Sequence, residues 1–224
     1  FVFPLTSFAF EKEDIDSEDK KKYWAELNVI PENHQLRIIF VGAISRSFDF
    51  NPIVEAAQRA QDMGKEWQFV ICGDGDHREH LMTRCIKSKN IIFPGWINDQ
   101  KYLQLSKMSD IALAPYVNTD NFKINIPNKI IDYLRLGIPI LSPLDGEVEQ
   151  LVNRSYCGLK YDGNHQFGLF EKIDFISSNR DQMNMMANNA EITYFDEFDA
   201  HVVYNETIRR LETVVAMRLN TSFK

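Results

Sequence analysis

Long apolar runs are missing from this 224-residue sequence. No stretch approaches the ~20 residues that a bilayer-spanning helix needs, and no secretory leader pattern opens the chain, which starts at Phe1 rather than Met. Cysteine is scarce. Cys72, Cys85 and Cys157 lie far apart and odd in number, which leaves disulfide and metal readings weak. They fit a reducing cytoplasmic compartment, with peripheral attachment at the inner face of a membrane compatible. Basic charge is also short: 25 Lys and Arg stand against 32 Asp and Glu, a formal net charge of −7. Binding a nucleic-acid backbone needs a clustered basic surface, so no nucleic-acid partner is expected. There is no Gly-x-Ser-x-Gly elbow and no P-loop lysine motif, which leaves hydrolase and NTPase chemistry without support. Internal repeats and low-complexity segments are absent too.

What is there is ordinary globular material, 44% hydrophobic and 25% charged, enough for one large domain. Residues 1–36 read as a linker with a helix near Lys20 to Leu27, and the charge run Glu11 to Lys22 as a solvated face rather than a binding tail. From Arg37 the pattern becomes periodic. Short apolar runs rich in β-branched residues, Arg37–Val41, Gln68–Cys72, Ile91–Phe93, Ile111–Ala114, Ile138–Leu141 and Gly158–Tyr161, have the character of buried parallel strands. Amphipathic stretches alternate with them. Asn51 is expected as an N-cap before Pro52, with Ile53, Ala56, Ala57 and Ala60 on one face. Further helices are expected at about His77–Lys87, Asp99–Lys107, Pro127–Leu136 and Glu147–Val152. This alternation predicts an α/β, Rossmann-like doubly wound parallel sheet of about six strands with helices on both faces. Its domain spans 37–195. The tail reads as helices at Phe167–Ile176, Arg180–Ala190 and about Ala200–Leu219. The last, within a 196–224 segment, carries more apolar surface than its neighbours need.

Open α/β sheets bind ligands at the carboxyl ends of their strands. That rule selects the loops after Val41, Cys72, Phe93, Ala114 and Leu141, and glycines mark three of them: Gly42, Gly73 with Gly75, and Gly95. Glycine lets a ligand approach the backbone closely, although tight turns alone would also use it. The most specific stretch runs from Asn125 to Leu141. Pro127 opens a helix whose free N–H groups favour an anion, and Lys129 and Asp132 share its face. A lysine there suits a diphosphate and a carboxylate one turn on suits a ribose. The alternative is an ordinary i, i+3 ion pair worth only ~0.3 kcal/mol. Asp74-Gly75-Asp76-His77 with His80 admits a metal reading, but the preferred reading makes Asp76 a helix cap and leaves no metal site. Trp96 and Ile97 either flank a nucleobase or sit in the core. His34, His165 and His201 are expected on the surface.

Five blocks occur in order: Val41-Gly42, Phe69 to Gly75, Ile91 to Trp96, Ser109 to Pro115 and Asp132 to Ile140. Together they resemble the C-terminal, donor-nucleotide-binding domain of the retaining GT-B glycosyltransferases of family four (group 1), over roughly residues 36–162. Gly146 to Val152 is similar to that family's Gly-x-x-Glu stretch, with Glu147 or Glu149 near the sugar or ribose. The resemblance implies a glycosyltransferase in surface-polysaccharide or glycoconjugate synthesis that uses a nucleotide-diphosphate sugar donor, with no cofactor and no required metal. It implies an acceptor sugar or lipid-linked glycan, and an N-terminal domain that the last helix crosses back to meet. This chain alone is then expected to bind donor and turn over poorly.

The departures are specific. Of the family's two glutamates eight positions apart, the second falls at Asp132 and the first at Ile124, so the sugar-contacting carboxylate is missing or supplied elsewhere. The family's Arg and Lys after the first glycine fall at Ala43 and Phe48, and Arg46 and Lys129 are the candidates to replace them. The donor-binding set is therefore Gly42, Ala43, Arg46, Gly73, Gly95, Trp96, Lys129, Asp132, Glu147 and Glu149, with no catalytic residue assigned. A non-catalytic nucleotide-binding module and a sugar-nucleotide epimerase of the same fold are the rival readings.

Overall fold

The computed structural model of the chain describes residues 18–29 and 36–221. The apolar start at 1–10 and His34 lie outside them. Six strands form one all-parallel sheet: β1 (Leu36–Val41), β2 (Trp67–Cys72), β3 (Ile91–Gly95), β4 (Ile111–Leu113), β5 (Ile140–Ser142) and β6 (Gly158–Lys160). Their order is β3-β2-β1-β4-β5-β6. The order reverses between β1 and β4, which is the topological switch point where such sheets bind ligands.

Helix α1 (Glu18–Glu26) precedes the sheet; α2 (Asn51–Asp62), α3 (Arg78–Arg84), α4 (Asp99–Lys107), α5 (Asp120–Lys123), α6 (Asn128–Arg135) and α7 (Glu147–Ser155) connect the strands. Helices α8 (Gly168–Ser177), α9 (Arg180–Glu197) and α10 (Ala200–Thr221) follow. Two apolar layers sandwich the sheet. Ile38, Phe40, Phe69 and Ile71 meet α2, α3 and α8, while Ile39, Val70, Ala112 and Ile140 meet α4, α6 and α7. Alternate strand residues therefore bury on opposite faces, and β1 and β2 are almost entirely inside, as central parallel strands must be.

Helix α6 shows how the sequence sets the edge at the switch point. Ile130, Ile131, Tyr133 and Leu134 are buried, each contributing about 1.5–3 kcal/mol for an apolar side chain of that size. Their spacing leaves Lys129 and Asp132 at the helix border, half-buried. Gly137, with φ +63°, ends the helix in the left-handed conformation that glycine tolerates best.

Several local expectations are corrected. Asn51 is the first residue of α2 rather than its cap; its backbone N–H is taken by Asp49 Oδ1 at 2.9 Å. Asp76 does not cap α3, whose N-cap position is His77, without a side-chain bond. Pro94 and Gly95 continue β3 instead of ending it, paired through a register shift opposite Cys72. The short α5 lies within a stretch expected to be loop. Helix α9 runs on to Glu197, so a break after residue 195 falls inside it.

Helix α10 exposes Val202, Tyr204, Ile208, Leu211, Val214 and Val215, the apolar surplus the sequence announced. Among the described residues, no helix is long and apolar enough to cross a membrane. The three cysteines are buried and free.

Candidate functional site

At the switch point, the end of β1 and the start of α6 are locked together. The Tyr133 hydroxyl accepts the Val41 N–H at 3.2 Å and donates to the Leu113 carbonyl at 3.2 Å, bridging β1 and β4 where the strands part. One turn earlier on the same helix, Lys129 Nζ donates to the Val41 carbonyl. Its ammonium lies 4.4 Å from the centre of the Phe40 ring, 5.4 Å from Phe48 and 5.8 Å from Tyr133. Ring faces attract a cation, which offsets part of its desolvation.

Gly42 makes this seat possible. Its φ is +151°, and a Cβ added there would collide with Lys129 Nζ. Gly73, at φ +133°, admits no side chain for a similar reason, because its Cβ would strike the Gly42 carbonyl. The glycine loops thus serve close packing between strand ends and bring the lysine onto the backbone. Burial lowers the Lys129 amine to about 8, against the opposing pull of Asp132.

Asp132 does not pair with Lys129. Its Oδ1 accepts from Arg135 NH2 at 2.8 Å, an i, i+3 contact along the helix, with the carboxylate 37% exposed. Burial raises its proton affinity above the ordinary carboxylate range; Arg135 and Lys129 oppose this and Asp99 adds to it. Lys129 and Asp132 therefore present a cation and a partly open carboxylate side by side at the carboxyl edge of the sheet.

Other expected residues sort around this pair. Trp96 is 75% exposed just beyond β3, which removes the core reading, while Ile97 beside it is buried. Gly95 has φ +80° with open space at its Cβ position. Ala43 and Arg46 are exposed on the loop between β1 and α2. Ile124 is 77% exposed at the end of α5. Glu147 is exposed at the start of α7, and Glu149 pairs with Lys160 Nζ at 3.1 Å, which Asp145 also contacts. His165 and His201 are exposed. Around Asp74 and His77, the Asp74 carboxylate takes the Gly75 N–H at 2.8 Å. Among the described residues, no group of three or more His, Cys, Asp or Glu gathers to hold a metal ion.

Sequence reasoning missed Tyr133, Phe48 as a wall of the lysine seat, and Arg135. Only Arg135 left a local signal, its i, i+3 spacing from Asp132.

Known proteins share this fold. Residues 24–193 match the family model "Glycosyl transferases group 1". A Bacillus subtilis glycosyltransferase assigned to teichuronic acid biosynthesis, TuaH, is 23% identical over 156 residues, covering 69% of this chain and 36% of that protein. WcaL of Escherichia coli, assigned to colanic acid biosynthesis, is 21% identical over 80% of this chain and 45% of its own length. The chain thus spans less than half of these relatives. Among solved structures, Anabaena Alr3699/HepE, crystallised with UDP and glucose, superposes with TM-score 0.71 at 15% identity over 92% of this chain and 57% of that one. The C-terminal domain of a group 1 family protein, LpcC, from Francisella tularensis gives TM-score 0.62 at 16% identity, over 82% of this chain and 95% of that domain. At such identities the superpositions speak for the fold, and the match over most of the chain speaks for the family: this protein belongs to the group 1 glycosyl transferases.

Proposed function

We propose that this chain is the donor-binding half of a retaining glycosyltransferase that uses a nucleotide-diphosphate sugar. Its diphosphate docks at Lys129 and the start of α6, its ribose on Asp132, and its base beside Trp96. The observation that carries this reading is the lysine seat, where a cation is held on the Val41 carbonyl beneath Gly42 at the sheet's switch point. A lysine from α6 thereby stands in the loop region where the family's own cation is replaced by Phe48, and Phe48 helps to wall it in.

In sugar transfer the leaving diphosphate gains negative charge as the glycosidic bond breaks. Preorganised cations and helix N–H groups stabilise that charge because they need no rearrangement at the moment of reaction. Lys129 supplies the fixed cation, and Arg46, on the exposed loop opposite, supplies a second from the solvent side. No metal or other cofactor enters this scheme. UDP in the HepE structures and polysaccharide assembly in the names of TuaH and WcaL favour a UDP-sugar donor and a glycan or lipid-linked acceptor. The apolar face of α10 packs against an N-terminal acceptor domain in this scheme, with the whole enzyme in the cytoplasm or at its membrane face.

A second reading has one observation behind it. The position of the family's first glutamate is Ile124, an exposed aliphatic residue. This favours a nucleotide-binding module without transferase activity, and release of sugar from donor by the full-length protein separates the two.

Calorimetric titration of UDP and of uridine into Lys129→Ala and Arg46→Ala tests the donor assignment. Losing a charged hydrogen-bond donor costs about 2 kcal/mol, so UDP should weaken by about 30-fold with uridine little changed. Equal loss of both, or of neither, refutes it.

A further inference from the structure

A second concavity lies apart from the lysine seat. A groove of about 1060 Å³ lies on the side of the sheet's carboxyl edge covered by α2, α3 and α8, the layer opposite α6. That volume is at the upper end of small-ligand sites, which run to about 1,000 Å³. Its walls are the start of α2, the exposed face of α3, and the loops after β4, β5 and β6. Neither Lys129 nor Asp132 lines it, yet the two sites touch. Phe48 faces Lys129 on one side and lines the groove on the other, its ring centre 4.5 Å from that of Tyr116 and tilted by 42°; Tyr116 also lines it.

The lining chemistry defines the occupant. Arg84, Lys160 and Lys172 are matched by Asp49, Asp145 and Asp162, so the groove carries no net charge to attract a polyanion. Several of these charges are already engaged: Lys160 with Asp145 and Glu149, and Arg84 with Asn51. What faces solvent is a set of short planar hydrogen-bonding groups, including Asn164, His77 and His80, with Asn118 held by Asp145, over a floor that includes Phe50 and Pro52. Paired donors and acceptors above apolar surface suit a neutral polyhydroxylated chain, whose rings offer hydroxyls at their edges and C–H groups on their faces.

We infer that this groove binds a neutral oligosaccharide and is the acceptor-side subsite that this half of the enzyme contributes. The inference rests on the sugar-transfer reading above and extends it: donor and acceptor lie on opposite sides of the Phe48–Tyr116 wall, adjacent at the diphosphate end.

The test is to load the chain with UDP and apply it to an array of printed neutral and anionic oligosaccharides. Retention on neutral oligosaccharides is expected. Asn164→Trp, which fills the groove from its exposed rim, should lower that signal by about tenfold, while UDP affinity stays within about twofold of wild type. His80→Trp, from the exposed face of α3 on the far wall, carries the same expectation should the first variant not fold. Retention of no oligosaccharide, retention of anionic ones only, or a signal indifferent to both tryptophans overturns the proposal. Oligosaccharide retention without UDP binding would sink the donor reading and leave the groove a glycan site.

Discussion

Raising the pH from 7 to 9 is expected to weaken UDP binding by about tenfold, and the reason is the seat of Lys129. Burial brings its amine down to about 8, from an ordinary value near 10.5. About nine in ten molecules therefore carry the charged ammonium at pH 7, and about one in ten at pH 9. A bound diphosphate puts negative charge against the amine and restores its affinity for the proton. The complex is then charged across the whole range, and at pH 9 most molecules must first take up a proton. The ratio of (1 + 10) to (1 + 0.1) gives about tenfold.

Calorimetry in two buffers of different ionisation heat measures the uptake directly, about 0.9 proton at pH 9 against about 0.1 at pH 7. Uridine carries the same base and sets the baseline for base ionisation; Lys129→Met should abolish the difference. In the free protein the sign is opposite. A lysine with a lowered folded value binds fewer protons than the unfolded chain between about pH 8 and 10.5, so its unfavourable contribution to stability fades as pH rises through that window. A UDP-to-uridine affinity ratio that stays flat from pH 7 to 9 would refute the reasoning.

Other perturbations follow from the same geometry. Gly42→Ala places a methyl where the Lys129 ammonium sits, at a φ of +151° that alanine resists; UDP affinity should fall by about tenfold or more, read by titration, with uridine affinity retained. Asp132→Ala removes the ribose acceptor and takes the carboxylate from Arg135. The wild type should prefer UDP over its 2′- or 3′-deoxy forms, and the variant should lose that preference in competition binding. Tyr133→Phe leaves the Val41 N–H and Leu113 carbonyl without their shared partner; chemical denaturation should show a loss of about 1–3 kcal/mol, with the fold retained in circular dichroism.

Much of the fold was legible because its signals are local. The run from Leu36 to Val41 is buried on both faces, so it reads as a nearly continuous apolar string broken only by Arg37, and the same holds for β2 with Gln68. Strand ends and glycines then pointed to the carboxyl edge of the sheet. The site was legible only in outline. The spacing of Lys129 and Asp132 put them on one helix border, but each chose another partner. Lys129 bonds the Val41 carbonyl, 88 residues away in sequence, and periodicity holds no record of that contact. Arg135 reaches Asp132 because it lies one turn further along, where its long side chain folds back under partial burial. The expected caps failed for a related reason. Asn51 and Asp76 are residue types that can cap, but Asp49 already supplies the carboxylate for the entry to α2, and α3 starts two residues after Asp76. Glu149 shows the same limit, since its candidacy near the sugar or ribose rested on the family's pattern, and its pairing with Lys160 left no trace in that pattern.

The central claim, that a nucleoside diphosphate is anchored by the lysine seat at the switch point, is met most directly by a crystal structure of the chain soaked with UDP. The account predicts a phosphate oxygen within hydrogen-bond distance of Lys129 Nζ and a ribose hydroxyl on the Asp132 carboxylate. UDP bound with its phosphates in the groove beside Arg84 and Lys172, and Lys129 still turned onto the Val41 carbonyl with no ligand near it, would contradict the account.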